Sequence, residues 1–264
     1  KDHSVGIIKG TIHSALENPT IVDISHSIAP FNIQECAYIL KNTYKSFPKG
    51  TVHIVGVDAE LTAENEHIIV FVDGHYFICA NNGVICLVTE EIKPEKIYSI
   101  QIPDTIDGPF PTLDVFVQAA CHLVRGGRME VIGKPLKELN VIKEFVPQVI
   151  NDGNTIVGNI IYIDNYGNVV SNIQKSLFEA YRKGRNFEVK VRGRNIKSIF
   201  SKYSDIINFN LDKTNRKGPG DLLALFNSCQ YLELALYKSD IKTVGSAATL
   251  LGLEYRDTIT INYF

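Results

Sequence analysis

The chain has 264 residues, of which 45% are hydrophobic and 21% charged, and its mean hydropathy is close to zero. Those values fit a folded globular protein of one large domain or two ordinary ones. The formal net charge of −2 argues against a general nucleic-acid binder, which is usually basic. No apolar run reaches the ~20 residues that a membrane-spanning helix needs.

Val5, Ile8, Ile12 and Leu16 recur at helical spacing, with Asp2 or Ser4 placed to cap the helix and Asn18-Pro19 placed to end it. Residues 20–24 read as a short strand. Asn32, with Glu35 three residues on, is a capping-box-like start for a second helix whose face is Ile33, Cys36, Ala37, Leu40 and Tyr44. Pro48-Lys49-Gly50 is a turn, and residues 51–57 form a mostly apolar strand suited to a sheet interior. Two further strands, 68–72 and 76–79, flank the hairpin signal Asp73-Gly74. Leu113, Phe116, Val117, Ala120, Cys121 and Val124 mark another helix face, stopped by Gly126-Gly127. This alternation of helix and strand predicts a layered α/β domain over residues 1–138.

After Gly133 the texture changes. Residues 134–148 carry two prolines and read as a connector, so the chain is divided into a first domain (1–138), a connector (139–150) and a second domain (151–264). Strands dominate the second: 155–163, 169–173, 186–191, 222–227, 231–236 and 258–263. A small, mainly antiparallel β domain is expected there. The five cysteines (Cys36, Cys79, Cys86, Cys121, Cys229) form no CxxC pair and are odd in number, which favours buried thiols in a reducing compartment. No leader peptide is apparent, and a cytoplasmic location is expected.

The richest chemistry lies in YIDNYGNVVSNI, residues 162–173. Before it, Ile161 and Ile163 point one way and Tyr162 the other, in the period of a strand. The turn cluster Asp164-Asn165-Tyr166-Gly167-Asn168 then puts a carboxylate, a ring and a carboxamide on one short rim. A carboxylate pairs with an ammonium, a ring stacks on a flat heterocycle, and an amide reads a base edge. The rim therefore suits an adenosyl amino acid; an ordinary polar hairpin tip is the plain alternative. Asp58 directly follows a strand, where ligands of open α/β sheets sit; it either holds a small nucleophile or caps the loop. His26 also closes a strand, and either takes part in catalysis or satisfies backbone groups. Glu64, Glu66 and His67 are either a metal cluster or a solvated loop. Asn227-Ser228 presents a hydroxyl to a carboxylate or simply makes a turn. No Walker loop, GxGxxG, GxSxG or HExxH motif is present.

Several segments, taken in order, resemble the S-adenosylmethionine hydroxide adenosyltransferase family, which includes fluorinating and chlorinating enzymes. They are Asp2-His3-Ser4-Val5-Gly6, the run Val22-Asp23-Ile24-Ser25-His26-Ser27-Ile28-Ala29-Pro30-Phe31, and Phe47-Pro48-Lys49-Gly50-Thr51-Val52. Val57-Asp58, Asn81-Asn82-Gly83 and Ile132-Gly133-Lys134-Pro135-Leu136 follow, then the 162–173 segment, and Asn227-Ser228 with Tyr231-Leu232-Glu233. The resemblance implies an α/β N-terminal domain with a Rossmann-like layered sheet and a small antiparallel β-barrel-like C-terminal domain. It also implies a homotrimer with ligand held between subunits, and no cofactor or metal beyond S-adenosylmethionine itself, with no nucleic-acid or membrane partner.

By the same resemblance, Asp164 pairs with the methionine ammonium, Tyr166 stacks on adenine and Asn168 reads an adenine edge. Asp2, Ser4 and Ser228 line the methionine carboxylate, while Phe31, Phe110 and Thr112 flank the ribose and the reacting carbon. Hydroxide-transferring members resemble one another in an Asp–Arg–His set that polarises a water. Asp58 stands at the Asp position, but the Arg position falls at Asn65 and the His position at Pro111. His67 and His26 are candidate stand-ins. Glu60, Thr62 and Ala63 also replace the glycine-rich character of the family's loop, and the family's ribose-gripping aspartate would fall before Lys1. The expected activity is hydrolysis of S-adenosylmethionine to adenosine and L-methionine by attack of water at C5′, with Asp58 as the catalytic residue. The alternatives are an adenosyl-ligand binder with a degenerate triad, or a halogenase. The space between Asn65 and Ile68 does not admit the insertion typical of fluorinating members.

Overall fold

The computed structural model describes residues 3–89, 92–102, 108–143, 145–240 and 245–264. The chain divides into two units, Lys1–Lys143 and Glu144–Phe264.

In the first unit, α1 (Ser4–Ala15) and α2 (Ile33–Lys41) precede β1 (Val52–Ile54), β2 (His67–Val72) and β3 (His75–Ala80). Then come α3 (Val84–Val88), β4 (Lys96–Ile100), α4 (Val117–Val124), α5 (Met129–Ile132) and β5 (Gly133–Pro135). The strands form one sheet in the order β1-β3-β2-β4-β5. Side chains alternate across it. Ile68, Val70, Val72, Phe77 and Cys79 pack with α2 and α3 on one face, and Ile69 and Ile78 pack with α4 and α5 on the other. Cover on both faces is why β2 reads as an unbroken apolar run. The β2–β3 loop is Asp73-Gly74, with φ of 50° and 74°, the left-handed pair that a two-residue hairpin turn requires. Asn32 caps α2: its Oδ1 accepts the Glu35 amide at 3.1 Å, and Glu35 Oε2 accepts from the Ala29 amide at 3.0 Å.

Several expectations are corrected here. Residues 20–24 are not a strand. No ladder partner is offered to them among the described residues; instead Ile21 lodges beside α1 and Ile24 beside α2, while Val22 is exposed. The strand expected over 51–57 shrinks to β1, an edge strand of the described sheet. Val55 N still reaches Ile78 O at 2.9 Å, but Asp58, with φ of 49°, then turns the chain away. Among the described residues of this sheet, β1 and β3 pair in parallel and the other pairs are antiparallel. Ser4 is the first residue of α1 rather than its cap, and His3 at the cap makes no side-chain bond to the helix. Asp2 lies outside the described residues.

The second unit holds β6 (Gln148–Ile150), β7 (Thr155–Ile163), β8 (Val169–Gln174), α6 (Lys175–Arg182), β9 (Phe187–Val191), β10 (Arg194–Ile196) and β11 (Ile199–Phe200). It ends with β12 (Leu222–Phe226), β13 (Tyr231–Leu236), α7 (Ala247–Leu251) and β14 (Thr258–Tyr263). These nine strands make one nearly closed, barrel-like sheet, ordered β10-β9-β14-β7-β8-β13-β12-β11 with β6 beside β7. Among the described residues, all of its pairs are antiparallel except β11 with β12. Ile156, Ile160, Val169, Leu232, Leu234 and Ile259 are among the residues filling its core. Gly158 lets β7 approach β8 closely, since a Cβ there would lie 2.5 Å from Ile173 Cγ1.

A bulge between Ile160 and Tyr162 re-phases the alternation of β7 against β8. Ile160 and Ile163 therefore both pack on the core, and the simple pairing of Ile161 with Ile163 on one face does not hold. A matching irregularity lies between Tyr231 and Glu233 of β13, where Ser171 Oγ donates to the Leu232 carbonyl at 3.0 Å. The local sequence pattern does not announce α6. Phe178 anchors it, almost wholly buried among Phe187, Phe226 and Tyr263.

Candidate functional site

Each unit carries one cluster of the expected site residues. In the first, the chain leaves β1 through Gly56-Val57-Asp58. Gly56 packs its bare backbone on buried Thr112: a Cβ there would sit 2.8 Å from Thr112 Oγ1. Thr112 opens a π-helical turn, Thr112–Phe116, that leads into α4, and the Phe110 carbonyl accepts the amides of Leu113 and Asp114 at 2.9 Å. Thr112 is thus held against the strand end that leads into Asp58. Phe110, half-buried, begins the same turn.

The loop after Asp58 is fixed carbonyl by carbonyl. Buried Asn82 donates from Nδ2 to the carbonyls of both Val57 and Asp58, each at 3.0 Å, and its Oδ1 accepts the Val84 amide at 3.2 Å. His67 Nε2 meets the next carbonyl, Ala59 O, at 2.9 Å, so that nitrogen carries the proton. The His67 ring stands edge-on to Phe116, with centroids 4.9 Å apart. Three successive carbonyls are therefore held by buried side chains. Among the described residues, no hydrogen bond or ion pair holds the Asp58 carboxylate itself.

Asn65, at the expected Arg position, belongs to a different network. Its carboxamide faces Asn140 Nδ2 at 3.3 Å, and the Asn81 and Glu64 carbonyls at 3.2 Å. Asn140 Nδ2 also donates to Glu64 O, and Asn81 Oδ1 accepts the Asn140 amide. Asn65 is a loop fastener. Pro111, at the expected His position, occupies the N-cap of the π-helical turn. Neither offers a charge.

The stand-ins do not replace them. His26 is exposed and pairs with Asp23 at 3.0 Å, with Lys9 on the same carboxylate at 2.6 Å; those contacts, Lys9 first, hold the Asp23 carboxyl below its usual range. His67 is committed at Nε2. Glu64, Glu66 and His67 do not form a metal site: among the described residues, no three groups of suitable type converge. Phe31 is 76% exposed and has φ of 61°, unusual for a bulky residue. Ser4 is half-buried on the first turn of α1. The five cysteines are free; burial pushes the Cys36 thiol up to about 12, as expected of a small buried hydrophobe.

In the second unit, the β7–β8 tip is organised by Asp164. Its Oδ1 accepts the amides of Tyr166 (2.8 Å) and Asn168 (2.9 Å), and its Oδ2 accepts Asn168 Nδ2 at 2.9 Å. Gly167, with φ of 69°, closes the turn, and its carbonyl accepts from Ala248 of α7 at 3.0 Å. Asn168 is thereby buried, whereas the Tyr166 ring is 69% exposed, a face open to a stacking partner. Oδ2 of Asp164 has lone-pair capacity left for one more donor.

The turn between β12 and β13 carries Ser228, which is exposed. Asn227 shapes it: its Oδ1 accepts the amides of Cys229 at 3.0 Å and Tyr231 at 3.1 Å. Behind it lies Glu233, 4% exposed, which accepts from Tyr203 Oη at 2.7 Å and from the Asn227 side chain. Burial pushes the Glu233 carboxyl up, those two hydrogen bonds oppose the rise, and the nearby Asp164 charge adds to it. Asn82, Tyr203 and Glu233 are not marked in the sequence as site-shaping residues, and His67, a candidate stand-in, turns out to fasten the loop. Asn81-Asn82-Gly83 and Glu233 stood in matching segments, but nothing local signalled their roles.

Family models decide the kinship. The SAM hydroxide adenosyltransferase N-terminal domain matches residues 1–133, and the C-terminal domain of the same name matches residues 158–260. The chain belongs to the SAM hydroxide adenosyltransferase family. It is 28% identical to an (R)-S-adenosyl-L-methionine hydrolase of Methanocaldococcus jannaschii, over 98% of this chain and 90% of that one. A fluorinase of Actinopolyspora mzabensis is 24% identical over 89% of this chain and 86% of its own length. Among solved structures, an uncharacterized conserved protein from Thermotoga maritima superposes with a TM-score of 0.83 at 27% identity, covering 99% of this chain and 96% of that one. Among the described residues, no helix is long and apolar enough to cross a membrane.

Proposed function

We propose that this member of the family binds S-adenosyl-L-methionine and hydrolyses it to adenosine and L-methionine. One observation carries the reading: the strand-end loop fixes Asp58 by its backbone while no hydrogen bond or ion pair among the described residues holds its carboxylate, the arrangement of a group kept for a ligand or a water. The reaction forms a C5′–O bond and breaks the C5′–S bond, methionine leaves as a neutral thioether, and one proton is released. A carboxylate that orients the water and accepts its hydrogen bond contributes through positioning. The sulfonium and ammonium of the substrate are cationic, which suits Asp164 and the Tyr166 face. Ser4, Phe31, Phe110, Thr112, Asn168 and Ser228 complete the proposed binding set, with Asp2 alongside them. The proposal includes a Rossmann-like first domain, a homotrimer in which two chains share each ligand, a cytoplasmic location, and no added cofactor or metal. Nucleic acid and membranes are not partners in this reading.

Asn65 and Pro111 favour a second reading, an adenosyl-ligand binder with little turnover. Removing preorganised electrostatic groups typically costs ~3–4 kcal/mol each in the barrier. Incubation with S-adenosylmethionine, with and without chloride, followed by separation of nucleosides, decides. Adenosine supports hydrolysis. Binding by calorimetry with no product supports the second reading, and chlorinated nucleoside would indicate a halogenase. No binding of any adenosyl compound refutes all three.

A further inference from the structure

Glu233 is a costly residue to place where it is. Along β13, Leu232, Leu234 and Leu236 face the barrel core. Glu233 points the other way, in register with Leu225 of β12 and Val170 of β8, on the side where Ile206, Leu223, Leu225 and Ala235 cluster. A buried carboxyl in an apolar layer is destabilising unless fully hydrogen-bonded, and an apolar residue there would serve the fold at least as well. Its two partners indicate what it does instead.

A carboxylate only accepts hydrogen bonds. Facing Asn227, it selects the nitrogen end of that carboxamide and leaves the oxygen end for the turn. That oxygen holds the amides of Cys229 and Tyr231, on either side of the strained Gln230 at φ of 64°. With the amide reversed, its NH2 group would face two N–H donors and the turn would lose both bonds. Tyr203, donating at 2.7 Å, holds Glu233 from the opposite segment.

We propose that Glu233 is a positioning residue for the ligand's amino-acid end: braced by Tyr203, it orients Asn227, which sets the turn that presents Ser228. This rests on the reading of the site as one for S-adenosylmethionine, and deepens it. Adenosine, which lacks the amino-acid end, does not touch this device.

The test is calorimetric titration of wild type and variants with S-adenosylmethionine and, separately, with adenosine. Glu233→Leu, which suits the apolar layer but releases Asn227, is expected to weaken S-adenosylmethionine about tenfold, on the scale of one or two hydrogen bonds, and to leave adenosine within about twofold. Glu233→Gln, which keeps an acceptor for Asn227 and a donor for Tyr203 Oη, restores most of the loss. Tyr203→Phe, which keeps the ring and removes only the brace, weakens S-adenosylmethionine by about fivefold and serves where Glu233→Leu does not fold. Unchanged S-adenosylmethionine affinity in the Leu and Phe variants, or parallel loss of both ligands, overturns the inference while leaving the ligand assignment intact. A wild-type protein that binds neither ligand overturns the ligand assignment, and the inference with it.

Discussion

Asn82→Ala is the sharpest test of how the Asp58 loop is held. The substitution deletes three hydrogen bonds at once: those to the Val57 and Asp58 carbonyls and that from the Val84 amide. Asn82 is 6% exposed, so water does not readily take over these groups. At ~1 kcal/mol net for each bond, the loss is ~3 kcal/mol. For a protein of this size that corresponds to a midpoint lower by about 6–12 °C. Asn82→Asp keeps the acceptor for Val84 but turns an anionic oxygen toward two carbonyl oxygens, and is expected to lose at least as much as alanine. Thermal unfolding followed by far-ultraviolet circular dichroism reads both. A midpoint within 2 °C of wild type for alanine, or an aspartate variant as stable as wild type, would refute the reasoning.

The buried histidine pair gives a pH dependence. His53 Nε2 lies 3.3 Å from His75 Nδ1, and burial first, then the neighbouring imidazole, pushes His53 down to about 4, so the folded chain refuses a proton that the unfolded chain accepts below about 6.5. Stability is therefore full above about pH 6.5 and falls as pH drops toward 4; melts across that range check it, and His53→Leu should flatten the slope. Gly158→Ala forces a methyl to within 2.5 Å of Ile173 Cγ1 and should cost ~1–3 kcal/mol in urea unfolding. Tyr166→Ala should weaken adenosine and S-adenosylmethionine alike by ~1–3 kcal/mol in calorimetry, as loss of one stacking face does; selective loss of either ligand would count against the stacking role. Asn65→Arg combined with Pro111→His, supplying the charges that the family resemblance leads one to expect beside Asp58, should raise adenosine formation at least ~10-fold over wild type, and no gain would show that those positions do not limit turnover.

What the sequence disclosed was what short-range pattern encodes. The Asp73-Gly74 hairpin, the Asn32 cap and strands β7, β13 and β14 follow from local periodicity and turn chemistry, and the structure carries them as expected. What it hid depends on partners far along the chain. Residues 20–24 have strand-like composition but no ladder partner among the described residues, so composition alone misleads there. Half of α6 is polar, and only the distant rings around Phe178 show why it docks. His67 looked like a spare base until its Nε2 was seen on Ala59 O, and Asn82 gave no local sign that it reaches back 24 and 25 residues. The buried side of Glu233 was written in the alternation of β13, but its partner Tyr203 lies 30 residues earlier.

Asp58 and Asp164 divide the labour in opposite ways. Asp164 spends three of its four lone-pair sites inside its own turn, so most of its carboxylate builds the tip that exposes Tyr166 and buries Asn168, and one acceptor site remains on Oδ2. Asp58 has the reverse arrangement: its backbone is held by Asn82, its successor's carbonyl by His67, and its carboxylate by no described side chain. A protein that needed Asp58 only as a loop cap would use the carboxylate as Asp164 does, on nearby amides. The rigid backbone and uncommitted side chain instead fit a group that must meet something not part of the chain. With Asn65 fastened to Asn140 and Pro111 at the head of a helical turn, Asp58 alone carries charge among the three expected triad positions. In the proposed hydrolysis, Asp58 is therefore the one charged group of that set left to orient the water.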